Sequence, residues 1–168
     1  MSKNPQKIIE GRYQVVPRSI ILLIREGQVL LQKAPVTKKL FPGYYNGIGG
    51  HIERGEDVLS AARRELKEEA GISSCDLHLS GTISIDVHDE EGILLFVFTG
   101  DEISGDIVPS EEGTLHWVDI DQLSRLEVVE DVPELVERIL HHKETGQLFF
   151  GTYTYDDEGR RITSWLTS

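Results

Sequence analysis

Residues 50–72 read GHIERGEDVLSAARRELKEEAGI, and this stretch decides how the rest of the chain is interpreted. From about residue 57 to residue 70, apolar residues recur three or four positions apart. That periodicity predicts an amphipathic helix, and Gly71 is the residue type expected just past its end.

Three glutamates of this helix, Glu65, Glu68 and Glu69, are the first candidates for chemistry. They share one face that borders the apolar stripe, so we expect them to be partly desolvated. Like charges this close repel one another, and a divalent cation would relieve the repulsion. Oxygen-only ligands favour Mg²⁺, with Mn²⁺ as a substitute. The alternative is a solvated charged face in which Arg64 and Glu68 form an i,i+4 ion pair.

The same stretch contains a fixed spacing: Gly50, five residues, Glu56, seven residues, then Arg64-Glu65-Leu66-x-Glu68-Glu69-x-Gly71-Ile72. This spacing resembles the Nudix box, the signature of enzymes that hydrolyse a nucleoside diphosphate linked to another group. Every fixed position of the box is filled. The resemblance covers about residues 18–125 and implies an α+β fold, the Nudix-type α/β/α sandwich with a mixed central sheet and the metal-binding glutamates on the box helix.

The resemblance also assigns roles within the box. The first glycine of a Nudix box supplies a backbone carbonyl to the metal, so the implied ligands from the box are Gly50, Glu65, Glu68 and Glu69. Glu56, Arg64 and Gly71 are expected to be structural. Arg64 commonly orients the glutamates in the family, and an ion pair between Glu56 and Arg64 is equally compatible with the sequence.

A further acid is expected beyond the box. In MutT-like members a glutamate shortly before a Trp-containing strand completes the metal site or acts as base, and residues 111–118, EEGTLHWV, resemble that arrangement. We assign this role to Glu112 rather than Glu111, although two acids in this loop can also be solubilising charge. The predicted catalytic residues are Glu65, Glu68 and Glu112, with Glu112 or Glu65 as the general base.

Substrate contacts are predicted on both sides of the box. Residues 44–56, YYNGIGGHIERGE, most resemble enzymes that clear oxidised purine nucleoside triphosphates, in which an asparagine just before the box reads the base. Asn46 takes that role, although Asn-Gly is also a common turn pair. In a related subgroup acidic residues after the Trp-containing strand bind the purine, which makes Asp131 a second candidate. Two departures from that subgroup are the missing aromatic residue near Val129 and His51 in place of a lysine.

Lys38 and Lys39 lie in the most basic stretch near the box, a loop predicted over residues 34–43. We predict that one of them contacts substrate phosphates. The alternative is that both are merely solvated.

The predicted function is metal-dependent hydrolysis of a nucleoside triphosphate such as 8-oxo-dGTP to the monophosphate and pyrophosphate. ADP-ribose and dinucleotide hydrolases are alternatives. The proline typical of the first and the tyrosine typical of the second are absent from residues 73–107 and 73–152, respectively. A non-catalytic nucleotide-binding Nudix module is the remaining alternative, but such modules usually lose box glutamates.

The length, charge and composition of the chain limit its number of domains, its partners and its location. The 168 residues predict one domain over residues 1–168. A formal charge of −12 disfavours binding of long nucleic acid, whereas a small-molecule nucleotide remains compatible because bound metal ions invert the local field. The longest apolar run, residues 20–24, is too short to cross a membrane. One cysteine and no secretory signal favour a cytoplasmic protein, either a monomer or a homodimer.

Elsewhere the residue pattern predicts a polar N-terminal tail, a loop followed by the short strand that contains Trp117, a second helix and three hairpins. These are the tail over residues 1–12, the loop over 102–113, the strand over 114–118, the helix over 132–142 with Asp131 as its N-cap, hairpin turns at 26–27, 89–92 and 156–159, and the C-terminal hairpin over 147–168.

Overall fold

The computed structural model describes residues 9, 11–104, 107–108, 110 and 112–168. Most of the predicted N-terminal tail and Glu111 lie outside this part of the chain. The strands within it are β1 (Gln14–Ile21), β2 (Ile24–Arg25), β3 (Gln28–Lys33), β4 (Tyr45–Asn46), β5 (Ser74–His88), β6 (Glu91–Ser104), β7 (Thr114–Asp119), β8 (Phe149–Tyr155) and β9 (Arg161–Thr167). The helices are α1 (Val58–Ala70), α2 (Val132–Thr145) and a 3₁₀ helix at Ile120–Arg125.

Two sheets form the centre of the fold. One has the strand order β1-β6-β5-β8-β9 and is mixed, because β1 runs parallel to β6 and β5 runs parallel to β8 while the other pairs are antiparallel. In the other sheet β3 pairs antiparallel with β2, β4 and β7. The predicted mixed sheet and all three predicted hairpins are confirmed.

The apolar run around β1 packs on both of its faces. Ile20 and Leu22 join the core cluster that contains the buried face of α2, whereas Ile21 and Leu23 join the cluster that contains the buried face of α1. Successive side chains of a strand point to opposite faces, so a strand covered on both sides reads as a continuous apolar run. The two helices therefore cover opposite faces of the strands, which gives the α/β/α sandwich.

Some predicted boundaries were wrong. Strand β6 extends to Ser104, where the sequence predicted a loop from residue 102. Helix α2 continues to Thr145 instead of ending at His142, because Gly146 adopts φ 74° and its N–H bonds to the His142 carbonyl to close the last turn. No described helix is long and apolar enough to cross a membrane.

Candidate active site

A cleft of about 650 Å³ lies beside the box helix and is lined by residues from most parts of the chain. Two groups of its lining side chains are distinguished by their charges and by the elements that carry them. The acidic end consists of Glu65, Glu69, Glu112 and Lys38. The hairpin end consists of Asp131, Tyr153 and Arg161.

Local sequence fixes where the box helix starts and stops. The Asp57 carboxylate accepts the backbone N–H groups of Leu59 and Ser60 at 3.0 and 2.9 Å, which caps the first turn of α1. Gly71 ends the helix with φ 71° and donates its N–H to the Lys67 carbonyl. The predicted structural role of Gly71 is thereby confirmed, and the glutamates between these caps are held on a well-defined helix.

The paired glycines before the box allow its carboxylates to approach the backbone. Gly49 has φ 152°, and a Cβ there would lie 2.2 Å from the Ser19 carbonyl oxygen. Its N–H donates to Glu69 Oε2 at 3.2 Å. A Cβ on Gly50 would lie 2.6 Å from Glu65 Oε1, so any other residue would displace that carboxylate from its present position. The Gly50 carbonyl accepts the Ser19 N–H at 2.9 Å, and a carbonyl oxygen retains a second lone pair for another partner.

Arg64 is the centre of an ion-pair network. Its guanidinium bonds to both oxygens of Glu56, at 2.8 and 3.0 Å, and to Glu65 Oε1 at 2.8 Å. It also contacts Glu68 Oε2 at 3.2 Å and the His51 carbonyl at 3.0 Å. These bonds, chiefly those to Glu56, raise the pKa of Arg64, and the Arg64 contact is the main cause that lowers the pKa of Glu56. Arg64 therefore orients the Glu65 carboxylate and at the same time forms the i,i+4 ion pair with Glu68.

The three box glutamates have different surroundings. Glu65 is buried, Glu69 is half-buried and Glu68 is exposed. Burial, and after it the charges of Glu65 and Glu112, raise the pKa of Glu69 to about 7 against the opposing Gly49 N–H. Glu65 and Glu69 line the cleft, whereas Glu68 faces the neighbouring surface next to Arg64. The expectation of partial desolvation therefore holds for Glu65 and Glu69 and was wrong for the exposed Glu68.

Glu112 and Lys38 meet across the mouth of the acidic end. Lys38 Nζ lies 2.8 Å from Glu112 Oε2, which brings two loops 74 residues apart in sequence into one ion pair. Lys39 is exposed and is not among the side chains that line the cleft. Of the two lysines, the structure therefore brings Lys38 to the acidic end.

Asn46 and Asp131 both line the cleft. Asn46 is the last residue of strand β4 and does not form the Asn-Gly turn that the sequence allowed. Its Oδ1 accepts the Gly47 N–H at 2.8 Å, which leaves its amide nitrogen as a donor. Asp131 occupies the N-cap position of α2, but its side chain makes no capping hydrogen bond. The predicted N-cap position is confirmed, but the side-chain bond that usually accompanies it is absent, and Asp131 lines the cleft. Burial there raises its pKa, against the opposing charge of Arg161.

Sequence reasoning missed Tyr153 and Arg161 of the C-terminal hairpin, which line the cleft beside Asp131. It also missed the apolar wall formed by Ile85, Ile93 and Leu95 on β5 and β6. The alternation of buried and exposed residues along β8 places Tyr153 on the inner face, but no local pattern indicates that this face closes a cleft.

No three His, Cys, Asp or Glu side chains among the described residues converge as a ready-made metal site. The carboxylates at the acidic end nevertheless fit a divalent cation, because their donors are all oxygen atoms. Burial, and then the charges of Glu65 and Glu112, raise the pKa of Glu69, and a cation would offset this cost. The Glu65 carboxylate lies beside the main chain, in the space that a Cβ on Gly50 would fill. This chemistry matches Mg²⁺ or Mn²⁺ better than softer ions.

Comparison with known proteins decides the family. A profile of the NUDIX domain matches residues 15–139. The chain belongs to the Nudix family. It is therefore a Nudix hydrolase, a phosphoanhydride hydrolase that acts on nucleotides, as the box predicted. Nudix enzymes generally depend on divalent metal ions.

Two relatives and one solved structure show how far the similarity to this Nudix hydrolase extends. The chain is 35% identical over 107 residues to the oxidized purine nucleoside triphosphate hydrolase of Danio rerio, covering 62% of this chain and 67% of that one. It is 30% identical over 142 residues to the protein of the same name from Mus musculus, covering 83% and 86%. The crystal structure of a MutT protein from Bacillus halodurans is similar with a TM-score of 0.74 and 26% identity, covering 91% of this chain and 97% of that one.

Proposed function

We propose that this Nudix hydrolase cleaves oxidised purine nucleoside triphosphates, such as 8-oxo-dGTP, to the monophosphate and pyrophosphate in a metal-dependent reaction. The observation that carries this proposal is that the acidic end and the hairpin end belong to one cleft. A single nucleotide can then place its phosphates at the first and its base at the second. The relative from Mus musculus, which matches over 86% of its length, supports the same substrate class.

The acidic end is the proposed place of chemistry. The metal would be held by oxygen atoms of Gly50, Glu65, Glu68, Glu69 and Glu112. When bound, such an ion neutralises phosphate oxygens and lowers the pKa of an attacking water.

The residues around this end prepare it for the reaction. Arg64 fixes the Glu65 carboxylate through a direct hydrogen bond, so it needs little reorganisation. Glu68, which is bonded to Arg64 outside the cleft, would have to turn toward the acidic end to join the ligands. Glu65 or Glu112 accepts the proton of the attacking water, since both line the cleft. Lys38 supplies a positive charge to the phosphates when it exchanges its Glu112 partner for substrate.

The hairpin end and Asn46 are the proposed base-binding region. The Asn46 amide nitrogen donates to an acceptor on the base. Asp131, which is free of any capping bond, accepts an N–H of the base or, when protonated, donates to it. The apolar wall of Ile85, Ile93 and Leu95 provides a surface for the flat face of a purine.

The test is pyrophosphate and phosphate release from 8-oxo-dGTP, dGTP, other nucleoside triphosphates, ADP-ribose, NADH and diadenosine polyphosphates, with Mg²⁺, with Mn²⁺ and with chelator. We expect the highest kcat/KM for 8-oxo-dGTP and no release in chelator. A preference for ADP-ribose or a dinucleotide would overturn the base assignment while leaving the hydrolase. No release from any substrate would favour a non-catalytic nucleotide-binding module.

A further inference from the structure

The burial of the Tyr153 hydroxyl group is not explained by any contact within the described part of the fold. Tyr153 is 2% exposed and lines the cleft, yet its hydroxyl oxygen is buried without a hydrogen-bond partner among the described residues. Leaving a buried hydroxyl unpaired is costly, and the great majority of such groups find a partner. At the inner surface of a binding cleft, the missing partner points to a ligand.

The Tyr153 ring is held firmly in place. The Arg161 guanidinium carbon lies 4.7 Å from the ring centroid, and the Trp165 ring meets it edge-on with centroids 5.8 Å apart. Arg161 is itself 11% exposed and lies 3.6 Å from a Glu134 carboxylate oxygen. On the main chain, Tyr153 is paired between Ile85 of β5 and Thr163 of β9. The hydroxyl is therefore presented at a fixed position, as recognition of a small ligand requires.

The neighbouring acid completes a donor and acceptor pair. Asp131 lies close enough to Tyr153 that its charge acts on the phenol, and its carboxyl makes no bond to the helix that it precedes. Burial and then the charge of Asp131 raise the pKa of Tyr153, so the phenol keeps its proton and serves as a donor. An ionised Asp131 serves as an acceptor beside it.

We propose that Tyr153 is a specificity-determining residue whose hydroxyl donates a hydrogen bond to an acceptor atom of the nucleobase, next to the N–H that Asp131 accepts in the proposed function. This inference rests on the proposed function and deepens it. The matching ligand edge carries an acceptor beside an N–H donor, as in the carbonyl and ring N–H of an oxopurine. The C-terminal hairpin is then part of the substrate site as well as the edge of the sheet.

The test is Tyr153→Phe, which removes only the hydroxyl. With Mg²⁺ present, we expect kcat/KM for 8-oxo-dGTP to fall about tenfold through KM, with kcat nearly unchanged. The melting temperature should stay the same or rise, because an unpaired buried hydroxyl is removed. A marked fall in melting temperature would overturn the inference, because it would show that the hydroxyl has a partner within the protein.

The matched control is Tyr13→Phe. Tyr13 donates its hydroxyl to Asp86 at 3.1 Å and is not among the residues that line the cleft. Its kcat/KM should equal that of the wild type. If Tyr153→Phe behaves like this control while the wild type hydrolyses 8-oxo-dGTP, the inference fails and the proposed function stands.

Calorimetric binding of 8-oxo-dGMP, the product of the proposed reaction, separates the remaining outcomes. If the wild type binds it without hydrolysing any triphosphate, the proposed function fails, and about tenfold weaker binding by Tyr153→Phe would still support the recognition role. Equal binding by the two proteins would overturn that role. No binding by the wild type would overturn both.

Discussion

The acidic end and the hairpin end of the cleft are built in opposite ways. At the acidic end, charged side chains are linked directly to oppositely charged partners, as in the bonds from Lys38 to Glu112 and from Arg64 to Glu65. At the hairpin end, Asp131 has no capping bond and the Tyr153 hydroxyl has no partner among the described residues. Satisfied groups hold a geometry in place, whereas buried unsatisfied groups are available to a ligand.

This contrast indicates a division of work. The acidic end is arranged before substrate arrives, which suits electrostatic stabilisation of a reacting phosphate. The hairpin end carries hydrogen-bonding groups that only a bound base would satisfy, which suits discrimination between bases. Variants at the first end should therefore lower the rate for every substrate, and variants at the second should change the preference among substrates.

Glu68→Gln should have the largest effect, because it removes a negative oxygen donor from the proposed metal site. We expect kcat to fall about a thousandfold for all substrates, with an unchanged melting temperature because Glu68 is exposed. The measurement is steady-state hydrolysis with Mg²⁺. Glu137→Gln, at an exposed position of α2, is the control and should retain wild-type rates. A Glu68→Gln protein with wild-type activity would contradict the assignment of Glu68 as a metal ligand.

Arg64→Lys should have the next largest effect. A lysine keeps the charge but cannot bond to both Glu56 oxygens while also holding Glu65 and Glu68. We expect kcat/KM to fall about 10- to 100-fold, since residues that orient metal ligands contribute effects of that size. Thermal melts and steady-state kinetics check the prediction, and Arg160→Lys in the C-terminal turn is the control. Equal losses in the two variants would show that the network does not prepare the site.

Asn46→Asp separates base recognition from the local hydrogen bond between Asn46 and Gly47. The aspartate can still accept the Gly47 N–H but has no amide donor for a base. We expect about a tenfold loss of kcat/KM for 8-oxo-dGTP, mostly in KM. Full activity in Asn46→Asp together with low activity in Asn46→Ala would instead show that Asn46 acts only through its bond to the Gly47 N–H.

The smallest effect concerns stability and pH. The pKa of Glu69 is raised to about 7 in the folded protein, so its ionisation opposes folding as pH rises from about 4.5 to about 7. Without metal, Glu69→Gln should be more stable than the wild type at pH 8 by about 1–2 kcal/mol, allowing for partial solvent screening, and equal to it near pH 4.5. Urea unfolding in chelator measures this difference. A stability gain of the same size at both pH values would show that the ionisation of Glu69 is not its cause.

Metal binding should show the same linkage. Because a ligand carboxylate has to lose its proton, Mg²⁺ should raise the melting temperature more at pH 8 than at pH 5.5. Glu69→Gln should lose most of this pH dependence. An equal Mg²⁺ effect at both pH values in the wild type would remove Glu69 from the ligand set.

Much of the acidic end is predictable from sequence because it is contiguous. The periodicity of residues 57–70 and the terminator Gly71 give the helix nearly to the residue, and helical spacing then places Glu65 and Glu69 within one turn. The pairing of Lys38 with Glu112 is different. It depends on how two loops 74 residues apart are placed by the strands between them, and no local pattern encodes that distance.

The hairpin end is less predictable for the same reason. Asp131 looks like an ordinary helix cap in sequence, since the residue type and the following Pro133 both fit that role. Only the packing of β8 beside β5 shows that its carboxyl faces Tyr153 and Arg161 across a cleft. Local rules of helix capping were outweighed here by tertiary contacts, which fits a site whose polar groups await a ligand.

The most direct test of the division of work is the ratio of kcat/KM for 8-oxo-dGTP to that for dGTP, measured in the wild type, Glu68→Gln and Asp131→Asn. We predict that Glu68→Gln lowers both values by the same factor and keeps the wild-type ratio, whereas Asp131→Asn changes the ratio and leaves kcat for the better substrate nearly intact. A uniform loss in Asp131→Asn, or an altered ratio in Glu68→Gln, would contradict the separation of chemistry from base recognition.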